Sequence, residues 1–244
     1  MSKPKIIVIA GPTASGKSKL AIELAKRING EIISADSMQI YKDMNIGTAK
    51  VTSEEMQNIK HYMIDVISPE ERYSVSQYKN EAENCIKEIL KEGKIPIICG
   101  GTGLYINSLV YGINFPEEKI NEEYRNKLNS IAETKGLEEL YEKALKIDPQ
   151  AMQKISKNDK KRIIRVLEIY HETGKTKTEQ ESISRNQELK YDYKVFAINM
   201  ERSILYDRIN KRVDIMLNNG LIDEVKRILD KYKSFPTAMQ GLRV

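Results

Sequence analysis

Residues Gly11-Pro12-Thr13-Ala14-Ser15-Gly16-Lys17-Ser18 have the spacing G-x-x-x-x-G-K-[ST]. The chemistry such a run supports is phosphate binding. Backbone N–H groups of the loop, and of the helix it opens, point at an anion. The lysine adds a mobile positive charge, and the serine hydroxyl can hold Mg²⁺. A nucleotide such as ATP is the usual occupant of a loop of this kind. The loop alone does not say which phosphate compound is held, or what becomes of it. A second stretch, Asp36-Ser37-Met38-Gln39, puts an acid just past a predicted strand. Asp36 fits a magnesium ligand, a general base or a helix N-cap, and position alone does not separate the three. A third, Gly100-Gly101-Thr102, combines two small residues with a hydroxyl and permits close backbone approach to a ligand. Arg208 and Arg212 stand four apart on a predicted helix, with Lys211 beside them, and can clamp a diphosphate. Lys154 to Arg165 holds six basic residues (Lys154, Lys157, Lys160, Lys161, Arg162, Arg165) against one acid, Asp159. Five unbalanced charges there, beside the basic, threonine-rich Lys175-Thr176-Lys177-Thr178, fit a solvated face or a phosphate-backbone contact.

These groups need elements to position them. Ile6 to Ala10 is an apolar strand, and Leu20, Ala21, Leu24, Ala25 and Ile28 give the helix after the loop one apolar face. Glu31 to Ser34 reads as a second strand and His61 to Ile67 as a third. Within that third strand, Tyr62-Met63-Ile64-Asp65 weakly resembles a magnesium-holding motif of nucleotide hydrolases. His61 has no nucleophile or second histidine nearby and reads as structural. Ser74 starts a helix with Tyr78, Ala82, Cys85, Ile86 and Ile89 inward, and Ile95 to Cys99 is a buried strand. In a parallel sheet, the turns at Ser15, Asp36 and Gly100 all fall on one edge. Residues 119–190 read as helices, one of them burying Ile163, Val166, Leu167 and Tyr170. Tyr191 to Asn199 returns to strand, with Val195, Phe196, Ala197 and Ile198 expected inside. Ser203 is expected to cap a helix whose inner face is Leu205, Ile209, Val213 and Met216, and Asp223 to Tyr232 forms another. The expected fold is α/β: a P-loop-type parallel sheet flanked by helices, with an inserted small all-helical domain. The core takes residues 1–115 and 190–244, and the insertion residues 116–189.

Composition narrows the class. With 40 Lys and Arg against 35 Asp and Glu, the net charge is +5, compatible with nucleic acid without requiring it. Cys85 and Cys99 sit among apolar residues in separate elements, as core thiols of a reducing compartment do. The N-terminus runs straight into the first strand, and no apolar stretch approaches the roughly 20 residues of a membrane span. A cytoplasmic protein with no membrane partner is expected. The guanine-reading Asn-Lys-x-Asp of GTPase-like switches is missing from the sequence.

In order along the chain come the phosphate loop Gly11 to Ser18, Asp36-Ser37-Met38-Gln39-Ile40-Tyr41, Gly47-Thr48-Ala49-Lys50 and Gly100-Gly101-Thr102-Gly103-Leu104-Tyr105. Asp159-Lys160-Lys161-Arg162-Ile163-Ile164-Arg165 and Thr237-Ala238-Met239-Gln240 follow. Together these closely resemble the tRNA dimethylallyltransferase (tRNA isopentenyltransferase) family, over essentially the whole chain. The resemblance implies transfer of a dimethylallyl group from dimethylallyl diphosphate to the exocyclic N6 amine of the adenosine 3′-adjacent to the anticodon, with release of diphosphate. It implies Asp36 as the base and Thr102 as a hydrogen-bond partner near the reacting centre. Lys17, a Mg²⁺ ion on Ser18, Arg208 and Arg212 would be the charges facing the leaving group. It carries tRNA contacts to Asp36, Ser37, Met38, Gln39, Thr102, Arg125, Lys161, Arg162, Ile163, Ile164 and Arg165. The implied partners are the anticodon stem-loop of tRNA and dimethylallyl diphosphate, and a monomer is expected. Family members usually continue past Thr-Ala-Met-Gln, so this chain, ending at Gly241-Leu242-Arg243-Val244, reads as short at its C-terminus. An ATP-dependent small-molecule or nucleotide kinase is the alternative. It accounts for the loop and the arginines, but less well for the basic helix and the Gly-Gly-Thr turn.

Overall fold

The first strand, β1 (Lys5–Ala10), buries Ile6, Val8 and Ile9 because it lies inside a parallel sheet with packing on both faces. The computed structural model describes residues 3–113, 121–185, 188–232 and 238–239. After the phosphate loop come α1 (Lys17–Ile28) and β2 (Gly30–Ser34), the latter buried along its whole length. α2 (Ser53–Met56) and β3 (His61–Tyr62) are short. α3 (Val75–Lys91) starts where Ser74 and Gln77 form a reciprocal capping box, and it turns Tyr78, Ala82, Ile86 and Ile89 inward. β4 (Ile95–Gly100) leads into α4 (Gly103–Val110). Five helices follow: α5 (Glu122–Thr134), α6 (Glu138–Ile147), α7 (Pro149–Met152), α8 (Lys160–Thr173) and α9 (Lys177–Arg185). β5 (Asp192–Ala197), α10 (Arg202–Asn218) and α11 (Leu221–Lys231) close the described chain.

The strand order is β3-β2-β4-β1-β5, and every pairing is parallel. Ala10 pairs with Gly100 and Ser34 with Cys99, so the turns after β1, β2 and β4 emerge on one edge. One face of the sheet packs Ile6, Val8, Ile33 and Ile98 with α3 and α4 residues, and the other packs Ile9, Ile32 and Ile97 with Ala21, Ile22 and Ala25 of α1. The chain divides into two units, Met1–Tyr111 with Leu189–Val244, and Gly112–Glu188. The second unit has its own core of Leu128, Leu140, Ala144, Met152, Ile163, Val166 and Leu167. Asp148 ties that unit together. It accepts from the Ala151 N–H as the N-cap of α7, and from both the N–H and the hydroxyl of Thr178 on α9.

Four expectations change. The third strand stops at Tyr62, because Met63 and Asp65 adopt left-handed backbone (φ 63° and 56°) and turn the chain away; Ile67 pairs singly with Tyr41. In β5, Val195, Phe196 and Ala197 are exposed and Ile198 is half-buried. β5 is an outer strand bonded only to β1 among the described residues, and the helix after it buries none of its own residues. Helix α10 takes Glu201 as its N-cap, and the Ser203 hydroxyl donates to the Glu201 carboxylate instead of capping. The half-buried stripe of α10 is Leu205, Ile209, Arg212 and Met216, with Val213 outside it. Tyr170, in the last turn of α8, is half-exposed rather than buried. Thr237, Gln240 and Gly241 to Val244 lie outside the described residues.

Candidate active site

The phosphate loop departs from ordinary backbone at two places. Ala14 and Gly16 both have positive φ (62° and 89°), and Gly16 is the N-cap of α1. A glycine takes that conformation without the penalty a Cβ brings. α1 has no side-chain cap and no acid in its first turn, so its first N–H groups are left for an anion. Ser15 adds a buried hydroxyl with no hydrogen-bond partner among the described residues, an unmet donor in the cradle. Lys17 Nζ donates to Pro12 O at 3.2 Å. Burial lowers the Lys17 pKa, Cys99 and Asp36 partly oppose this, and Arg212 adds to it. A bound anion would relieve both the burial and the repulsion between the two cations.

That cradle opens into a hollow of about 460 Å³ whose lining includes Ala14, Lys17, Ser18, Ala49, Val51, Arg208 and Arg212. Arg212 is the inward-facing arginine of α10. Burial lowers its pKa while Asp36 raises it, so it lies within electrostatic reach of that carboxylate. Arg208 is exposed, and its nearest guanidinium nitrogen lies 3.8 Å from where a Cβ on Gly16 would sit.

Asp36 begins a turn rather than a helix, which removes the helix-cap reading. Its Oδ1 accepts from the Met38 N–H at 2.9 Å, leaving Oδ2 to take a proton. Thr102 sits across from it on the β4 turn. Its hydroxyl accepts from the Ser37 N–H at 2.9 Å and donates toward Ser37 Oγ at 3.3 Å. The two glycines before Thr102 have different reasons. A Cβ on Gly100 would fall 2.1 Å from Ala35 O, so that glycine lets β2 and β4 close up rather than admit a ligand. A Cβ on Gly101 would lie 3.2 Å from Gly11 O and 3.8 Å from Lys17 Nζ, so Gly101 brings the third turn against the phosphate loop.

Gln39 is held by its own fold. Its amide donates to Thr48 O and Ala49 O (3.3 and 3.2 Å), and its oxygen accepts from Ser34 Oγ at 3.2 Å. Met38 packs against the core. Ala49 and Val51 line the hollow, so this stretch forms part of its wall, and two side chains, those of Lys50 and Glu224, fix it. Lys50, nearly buried, donates to Tyr41 O, Asn45 Oδ1 and the Asp65 carboxylate. Glu224 accepts from three backbone N–H groups at residues 45–47. Because Lys50 takes up Asp65, the Tyr62 to Asp65 motif is structural. Burial pushes the His61 pKa down, and its Nδ1 lies 2.8 Å from Ile59 O, also a structural arrangement. Burial pushes the Cys85 thiol up to about 11 and the Cys99 thiol up to about 12, away from reactivity.

Among the described residues no group of three or more His, Cys, Asp or Glu is placed to hold a metal. A lone serine hydroxyl beside a diphosphate cradle still fits Mg²⁺, which commonly takes one or two protein ligands and completes its shell with phosphate oxygens and water.

In the helical unit the basic residues are less unbalanced than their spacing suggests. Lys160 meets Glu133 at 3.2 Å, Arg162 meets its own N-cap Asp159 at 3.4 Å, and Arg165 meets Glu168 at 3.5 Å. Arg125 grips both oxygens of Glu168, which is 2% exposed. Lys177 pairs with Glu181, and Thr178 serves Asp148, so the threonine-rich stretch is mainly structural. Two hollows remain. One, of about 480 Å³, is lined by Arg125, Asn129, Lys160, Lys161, Arg165 and Glu168. The other, of about 280 Å³, includes Lys154, Arg162, Arg165 and Lys177. Ile163 is fully buried and Ile164 nearly so, which makes them core of α8; Ile164 reaches only the wall of the larger hollow.

The family described as IPP transferase matches residues 39–244. A tRNA dimethylallyltransferase of Thermoanaerobacter sp. is 50% identical over 242 residues, covering 98% of this chain and 76% of that protein. One from Acetivibrio thermocellus is 52% identical over 238 residues, 97% of this chain and 76% of its own. Among solved structures, the full-length tRNA isopentenylpyrophosphate transferase of Bacillus halodurans is similar with a TM-score of 0.67 at 42% identity, covering 98% of this chain and 74% of that one. A eukaryotic dimethylallyltransferase captured acting on tRNA gives a TM-score of 0.79 at 35% identity, covering 94% and 57%. No helix among the described residues is long and apolar enough to cross a membrane.

Proposed function

This chain belongs to the IPP transferase family, and from that premise we propose that it transfers a dimethylallyl group from dimethylallyl diphosphate to the N6 amine of the adenosine 3′-adjacent to the anticodon of tRNA. A kinase reading has no support among the relatives, which are tRNA dimethylallyltransferases.

The observation that carries the mechanism is the shared sheet edge. The carboxylate of Asp36 stands within electrostatic reach of Lys17 and Arg212, and those two cations line the anion hollow. The amine nitrogen attacks the allylic carbon as the bond from that carbon to the diphosphate oxygen breaks. The electron pair leaves with the diphosphate, and the amine proton passes to Asp36 Oδ2. Loop N–H groups, Lys17 and Arg212 meet the charge as it grows on the leaving oxygens, where fixed donors help most. Mg²⁺ on Ser18, when bound, supplies further neutralisation of the diphosphate. Thr102 holds the Ser37 backbone, so the Asp36 turn is set before substrate arrives. The target base must leave its stack to reach this edge. Ser37, Met38 and Thr102 are the groups nearest the base, and Gln39 acts behind them by bracing the 48–49 wall. The helical unit supplies phosphate contacts to the anticodon stem-loop through Arg125, Lys161, Arg162 and Arg165.

The test is Asp36→Asn, which keeps the acceptor for the Met38 N–H but cannot take a proton. Single-turnover transfer is expected to fall by about 10²–10⁴-fold, with diphosphate binding by calorimetry unchanged. Near-normal turnover in that variant would remove Asp36 as the base.

A further inference from the structure

The two arginines of the hollow ride on a helix that is poorly anchored by itself. α10 buries none of its residues. It packs on α11, reached through Gly220, whose φ of 93° makes the turn. α11 buries only two residues, Ile228 and Glu224, and Glu224 is 4% exposed. A carboxylate in the first turn of a helix usually faces solvent and the helix's own N–H groups. This one reaches a different segment. Its Oε2 accepts from Asn45 N and Ile46 N (2.9 and 2.7 Å), and its Oε1 accepts from Gly47 N at 2.9 Å. Three successive N–H groups make a small anion cup, and the side chain fills it.

The cup belongs to a firm piece of the site. Gln39, three residues past Asp36, holds Thr48 O and Ala49 O. Lys50 fixes the turn to Tyr41 and Asp65. Ala49 and Val51 then line the hollow together with Lys17. A second tie joins the same two segments, since Asp43 Oδ2 accepts from Lys231 Nζ at 2.7 Å and from the Tyr232 hydroxyl.

We propose that Glu224 is a positioning residue: by filling the 45–47 cup it seats the α10–α11 hairpin, and with it Arg212 and Arg208, over the phosphate loop. The proposal rests on the reading of the hollow as a leaving-group site and extends it to a residue some 180 positions away in sequence. Glu224 touches no substrate and acts only through the arginines.

The test uses the full chain with Glu224→Gln, which preserves shape but turns an N–H₂ toward one of the three donors. Hydrogen exchange should show faster amides at 45–47 and through 202–218, with the sheet strands unchanged. Inorganic diphosphate should bind about tenfold more weakly by calorimetry, the loss expected for a hydrogen bond to a charged group. KM for dimethylallyl diphosphate should rise by the same factor, with KM for tRNA unchanged. On an Arg208→Ala, Arg212→Ala background, Glu224→Gln should cost less than about twofold more, since coupled residues are not additive. Glu224→Asp, which keeps the charge, is expected to recover part of the loss and serves if the glutamine variant does not fold. Unchanged exchange across α10, or diphosphate affinity within twofold of wild type despite a lowered Tm, would overturn the proposal. So would the full loss persisting without the arginines. If exchange quickens as expected but the wild-type chain binds no diphosphate, the seating stands and the leaving-group reading fails.

Discussion

Positive charge does different work in the two units. In the α/β unit the positive charge at the hollow is concentrated and placed. Lys17 and Arg212 are half-buried, their pKa values are lowered by burial, and unmet donors at Ser15 and the α1 N-terminus surround the same point. In the helical unit it is abundant and spread. Arg162 and Lys161 are exposed, and Lys160, Arg162 and Arg165 each sit beside an acid within 4 Å. A desolvated cation aimed at one point interacts strongly, whereas exposed cations are screened and act by number. The first arrangement suits charge developing on one leaving group, and the second suits a polyanionic backbone.

The sharpest break of that comparison lies between the two arginines of α10, which are identical in chemistry and differ in placement. Arg212 belongs to the half-buried stripe with Leu205, Ile209 and Met216, while Arg208 is exposed and, among the described residues, donates only to the Met200 sulfur at 3.7 Å. Arg212→Ala is expected to weaken diphosphate binding by about 10- to 100-fold, and Arg208→Ala by no more than a few-fold. Calorimetry on both variants checks this. Equal losses would mean that placement does not govern the pocket.

Glu168 tests the other side. It is a deeply buried charge of the basic face, held by Arg125 and Arg165. Glu168→Gln leaves those arginines without their anchor, and chemical denaturation should show the helical unit destabilised by roughly 1–3 kcal/mol. The tRNA affinity should fall only a few-fold, because the arginines stay on the surface. A rise in affinity would instead mark Glu168 as a competitor with phosphate for Arg125.

How legible each region was follows from the range of the interactions that build it. The phosphate loop, the Asp36 turn, the Gly-Gly-Thr turn and the Ser74 capping box are local, and their spacing in sequence carries their geometry. Glu224 was invisible because its role depends on pairing across the fold; it meets residues 177 to 179 positions away. Gln39 lay inside a recognised motif, yet its amide braces the Thr48-Ala49 wall, a contact no motif encodes. Apolar runs also mislead where cover depends on tertiary packing. Val195 and Phe196 read as core but are 48% and 58% exposed on the outer strand. Charge counting along residues 154–165 overstated the local surplus for a related reason. Glu133 lies on another helix and Glu168 lies one turn beyond the window, so pairs that neutralise the face fell outside the count.

The smallest effect is the most specific to this comparison. Lys161 is exposed on the first turn of α8 and lines the larger basic hollow, and among the described residues its loss should disturb no buried partner. Lys161→Ala is therefore expected to weaken tRNA only a few-fold at moderate salt, while lowering the slope of log K against log salt by about 1. Transfer at saturating tRNA should be unchanged if the two kinds of positive charge act separately. Binding titrations at several salt concentrations check the slope. An unchanged slope would mean that Lys161 does not meet a phosphate. A fall in saturated turnover would mean that the two kinds of positive charge are not separate in function, however differently they are built.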